Sequence, residues 1–199
     1  MVNTALFYWV GWMLWIISTF FMKKGRRRDF FTIWILGVII TSNTTIQIGN
    51  LVIVTSIFLL IFGSVLLLIH LERHINLIIC SFTIMIGYSS ILFWEKVAPV
   101  WLFWPREILI PVLLCFLTML LIGGLDKQIC VLLLGATIGE CLFSLSLSSY
   151  GINGDTGELP FLANLIEAIV ILLFLDIIVR RKTKKVKDYH VSIDLEVAK

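Results

Sequence analysis

Seven long apolar runs, separated by short polar or turn-rich segments, cover most of the chain. They are Asn3–Met22, Phe30–Ile48, Leu51–Leu71, Ile75–Trp94, Ile108–Gly124, Ile129–Ser148 and Phe161–Val179. A helix needs about 20 apolar residues to cross a bilayer. The runs are continuous rather than alternating, which predicts helices and not the strands of a barrel. A helix also satisfies its own backbone polar groups in hydrocarbon. The pattern therefore predicts an all-α fold, a polytopic transmembrane bundle of seven spans. The second run is the weakest, because its outer half reads TSNTT (Thr41 to Thr45). In a helix these side chains can bond back to the backbone or to a neighbour. Pro160 suits a first helical turn, as does Pro105 with Glu107 close behind it. Pro111 falls inside the fifth run and is expected to bend it.

Composition supports the same class. Hydrophobic residues make up 59% of the 199 and charged residues 15%, and mean hydropathy is +1.02. Soluble domains carry roughly 45–50% apolar and about 25% charged residues. A soluble enzyme, a disordered chain and a nucleic-acid-binding domain are all excluded on this ground.

Charge distribution sets the expected orientation. Lys23, Lys24, Arg26, Arg27 and Arg28 follow the first run; Arg180, Arg181, Lys182, Lys184, Lys185 and Lys187 follow the last. Basic residues at the ends of spans mark the cytoplasmic side, and they also suit anionic lipid. If both clusters are cytoplasmic, an even number of spans separates them and the total is odd. Seven spans put the N-terminus outside and the C-terminus in the cytoplasm, and only Lys96 and Arg106 of all the Lys and Arg then lie outside. The first apolar run precedes its basic residues, the reverse of a cleavable signal peptide. The expected organisation is a membrane domain over 1–187 and a short cytoplasmic tail over 188–199. The expected location is the cell membrane. Trp94, Trp101 and Trp104 cluster around one outer loop, where tryptophan favours the membrane–water interface.

Two carboxyl groups lie deep in the runs, Glu140 in the sixth and Glu167 in the seventh. In the predicted topology both stand roughly 9–12 Å below the outer boundary, counting about 1.5 Å per residue. Intramembrane ionisable groups usually face the bundle interior. Thr137 and Ser144 share a helical face with Glu140, and Asn164 precedes Glu167 by one turn. Gly135 and Gly139 form a small-residue pair that lets another helix approach. If that helix is the seventh, the two glutamates face each other and can share a proton. One reading is a proton or cation site; the other is a hydrogen-bonded packing contact.

Other chemistry is sparse. His70 and His74 stand four apart in HLERH, but this is not the HExxH arrangement and no third ligand is apparent, so no metal site is expected. Cys80, Cys115, Cys130 and Cys141 lie within apolar runs without paired spacing, as buried small apolar residues do. No phosphate-binding loop, nucleophile motif or cofactor motif is present in the sequence, and no cofactor is expected.

The opening FYWVGWMLWIISTFFMKK, with Trp9, Trp12 and Trp15, together with the length and seven-run layout, resembles the YphA-like membrane proteins of Bacillus-type bacteria. The resemblance implies an envelope or sporulation setting and carries over no catalytic residue. The reading favoured by the sequence is a non-enzymatic integral membrane protein of the envelope with a structural, assembly or partner-binding role. Its expected partners are the lipid bilayer and other membrane proteins, not nucleic acid. The alternative is a small proton- or ion-coupled transporter using the intramembrane glutamates.

Overall fold

The computed structural model describes residues 2–48, 51–71, 74–97, 105–150 and 155–197. Among them the chain forms α1 (Val2–Phe21), α2 (Arg26–Thr41), β1 (Thr45–Ile48), β2 (Leu51–Val54), α3 (Ser56–Ile69), α4 (His74–Val97), α5 (Arg106–Leu121), α6 (Leu125–Ser149), β3 (Asp155–Thr156) and α7 (Leu159–Val197). Each apolar run contributes one helix, but the helices are unequal. His74–Val97, Leu125–Ser149 and Leu159–Val179 are long and apolar enough to cross a membrane, whereas Ala5–Phe21, Ser56–Ile69 and Glu107–Leu121 are shorter apolar helices. The 14 residues of α3 rise about 21 Å, against a hydrocarbon core of about 30 Å.

The second and third runs depart from the expectation of continuous helices. α2 stops at Thr41, and after a short turn the last four residues of its run form β1. The hydroxyl groups of this segment explain the stop. Thr41 Oγ1 donates to the Gly37 carbonyl at 2.8 Å, Ser42 Oγ to Ile39 at 2.8 Å and Thr44 Oγ1 to Thr41 at 3.0 Å. Such bonds compete with continuation of the helix. The next residues, TIQI and LVIV, are β-branched at most positions and suit a pleated strand. β1 pairs antiparallel with β2, Ile46 opposite Ile53, and β3 adds in parallel to β2, Val52 opposite Asp155. The sheet thus joins the α2–α3 connection to the α6–α7 connection. It also meets its helices closely. Gly157 has φ +78°, and a Cβ there would collide with Ile57 Cδ1 at the start of α3.

At the opposite end, Arg26, His70 and Asp126 line one cavity. The starts of α2 and α6 and the end of α3 therefore meet there. Helices consecutive in the chain run alternately between a sheet end and a basic end, so α6 runs parallel to α4 at their crossing. α6 is the hub, packing on α3, α4, α5 and α7, with Cys130, Val131, Leu132, Leu133 and Ala136 almost fully buried. α1 lies at the periphery against α2 and α7 and leaves Trp9, Phe20 and Phe21 largely exposed. Apolar side chains on this outer surface suit lipid as solvent. α7 is one helix to Val197.

Candidate functional site

α4 and α6 cross closely at the two glycines. A Cβ on Gly135 would stand 2.7 Å from the Ser81 carbonyl oxygen and 2.8 Å from Ile84 Cβ. One on Gly139 would stand 3.0 Å from the Met85 carbonyl oxygen and 3.1 Å from Tyr88 Cδ1. The small-residue pair thus admits α4, not α7. Backbones this close can exchange hydrogen bonds between helices, and Ser89 Oγ donates to the Gly139 carbonyl at 2.9 Å.

One residue beyond Gly139, Glu140 is 8% exposed. The buried Tyr88 hydroxyl on α4 donates to Glu140 Oε2 at 2.9 Å. The Tyr88 ring in turn packs on Phe161 of α7, with centroids 6.1 Å apart. The tyrosine therefore ties α4 to α6 through its hydroxyl and touches α7 through its ring. Thr137 and Ser144 are buried on the α6 face that carries Glu140, and Asn164 is buried on α7. Thr137 Oγ1 donates to the Leu133 carbonyl of its own helix.

Glu167 has a different setting. It is half-buried and lines an apolar cleft of about 220 Å³ with Glu107 and Pro111 of α5 and Val10 of α1. Glu140 is not among the lining residues. The sequence grouped Glu140 and Glu167 by depth; the structure brings Glu140 to Tyr88 and Glu167 to the cleft that holds Glu107.

The remaining residues fall at the ends of the bundle. Trp94 is exposed in the last turn of α4, while Trp101 and Trp104 lie outside the described residues. Lys23, Lys24 and Arg26 are exposed. Arg28 is bound to Asp29, with Nη2 to Oδ1 at 2.8 Å. The side chains of Arg27 and of Arg180 to Lys187 lie outside the described residues. His70 Nδ1 sits 2.9 Å from the Leu66 carbonyl of its own helix.

Tyr88 and Ser89 are the residues that sequence reasoning missed. A faint signal was available, because Ser81 lies seven and eight residues before them and so on the same helical face. Glu107 was read only as a helix-start acid.

The matches to known proteins agree with the helical, apolar architecture. The model of the YphA-like integral membrane protein family matches residues 3–194. The uncharacterised protein YphA of Bacillus subtilis (strain 168) is 26% identical over 168 residues, which cover 84% of each chain. No solved structure matches. With a family match over nearly its whole length, the chain belongs to the YphA-like integral membrane proteins.

Proposed function

We propose that the protein is a seven-span component of the cell membrane, N-terminus outside and C-terminus cytoplasmic, that acts without chemical turnover. Its role is to assemble with or hold other membrane proteins of the envelope. The observation that carries the non-enzymatic reading is the Tyr88–Glu140 hydrogen bond at the glycine crossing. The most buried carboxyl group named above is engaged in joining two helices, as polar groups between membrane helices commonly are. The experiment is a phenotypic comparison of Glu140→Gln and Glu167→Gln in cells, with proton flux measured in liposomes that hold each purified variant. Gln keeps the hydrogen-bonding shape and removes titration. Unchanged phenotype and no proton flux are expected; a flux that Glu167→Gln abolishes would overturn the reading.

A second reading, proton- or ion-coupled transport, has one specific observation in its favour. Glu107 and Glu167 line the same apolar cleft between α1, α5 and α7. Ionisable groups facing a cavity between membrane helices are the kind of residue that marks an ion or proton pathway. The flux measurement separates the two readings.

A further inference from the structure

At the basic end, α2, α3 and α6 diverge and leave a cavity of about 650 Å³. Its walls are apolar and aromatic, from Phe30 and Phe31 of α2 and Leu67 of α3. Phe30 stacks on Trp34 further along α2, with ring planes 12° apart, which steadies that wall. The cavity mouth is polar and holds Arg26, His70 and Asp126. Lys23 and Lys24 come just before Arg26 and are exposed. Arg28 is bound to Asp29, whereas Arg26 lines the cavity. Beside the cavity, Ile33 on α2 is 71% exposed and Ile69 on α3 is 63% exposed. Exposed isoleucines on both flanks mean that the surface around the opening is itself apolar and suits bilayer contact.

We propose that this cavity is a binding site for one anionic phospholipid. The headgroup phosphate meets Arg26 and the lysines before it, and the upper part of an acyl chain lies against Phe30, Phe31 and Leu67. Charge complementarity selects the anion, since basic clusters beside membrane helices attract anionic lipids. The apolar walls select a lipid over a soluble phosphate. The proposal rests on the basic end meeting the headgroup layer of a leaflet, but not on which leaflet.

The test is native mass spectrometry of the full chain in detergent, with phosphatidylglycerol or phosphatidylcholine added at equal concentration. Detergent presents no sidedness, so failure here is distinct from an inverted topology. One phosphatidylglycerol is expected to be retained about tenfold more than phosphatidylcholine. Arg26→Gln should remove that preference and Arg26→Lys should restore most of it. Lys184→Gln, in the other basic cluster, should leave it unchanged. Glycerophosphoglycerol, the same headgroup without acyl chains, should not compete at equal concentration. Equal retention of both lipids would overturn the proposal. Equal loss with Lys184→Gln would mean diffuse attraction and would also overturn it. Effective competition by the chain-free headgroup would assign the cavity to a soluble phosphate instead.

Discussion

A charged side chain at the centre of a membrane helix costs about 2.5–3.5 kcal/mol on insertion scales, so Glu140 needs compensation from within the bundle. Tyr88 supplies a hydrogen bond of 2.9 Å. Such interhelical bonds are worth about 0.6 kcal/mol on average and at most about 1.7 in membrane proteins. A double-mutant cycle of Tyr88→Phe and Glu140→Leu, read by thermal unfolding in detergent, should therefore give a coupling of about 0.5–1.5 kcal/mol. Strict additivity would show that the bond contributes nothing. Glu140→Gln alone should be milder than Glu140→Leu, because an amide oxygen still accepts from the tyrosine. At Gly135 the constraint is steric. A methyl group would press on the backbone oxygen of Ser81, and overpacking costs about 1–3 kcal/mol. Gly135→Ala should lower stability by that amount, whereas Gly25→Ala, with nothing within 4 Å, should change it by less than about 0.5 kcal/mol. Glu140 was legible in the sequence because an ionisable group in an apolar run stands out by itself. Its partner was not, since Tyr88 lies 52 positions away and depth counting says nothing about which helix a glycine pair receives.

At the scale of the element, the apolar runs located each helix of the described residues but not every end. The runs at Ile75–Trp94 and Ile129–Ser148 became α4 and α6 with ends shifted by four residues or fewer. Length and apolarity leave such segments no other way to satisfy their backbones. The segment from Thr41 to Val54 behaved otherwise, because apolarity is shared by buried strands and helices and only the polar groups distinguish them. TSNTT supplied the helix stop. Gly49-Asn50 between two β-branched stretches was an overlooked hairpin signal. The parallel pairing of β2 with β3 had no local signal at all, since it joins segments about one hundred residues apart. The hairpin register can be measured directly. In a background without native cysteines, Ile46→Cys with Ile53→Cys should form a disulfide on mild oxidation, because opposed residues in an antiparallel pair bring Cβ atoms to about 4.5–5.5 Å. Gln47→Cys with Ile53→Cys should crosslink poorly, since a one-residue offset sends the side chains to opposite faces. The reverse ranking would disprove the register.

At the scale of the molecule, two ends differ in kind. One carries the three-stranded sheet that links α2–α3 to α6–α7. The other carries the first basic cluster and the cavity formed where α2, α3 and α6 part. α7 begins beside β3 at the sheet end, so its basic stretch leaves at the opposite end, with the first cluster. The proposed seven-span topology requires both basic segments on one side of the membrane. Which side that is follows from the positive-inside rule, and both the proposed envelope role and its proposed orientation depend on it. The most direct measurement uses single cysteines at Gly154 and Lys187 in a cysteine-free background, labelled in intact cells with a membrane-impermeant thiol reagent. Gly154→Cys is expected to react in intact cells, and Lys187→Cys only after permeabilisation. Labelling of both from the same side, or of Lys187→Cys alone from outside, would contradict the account.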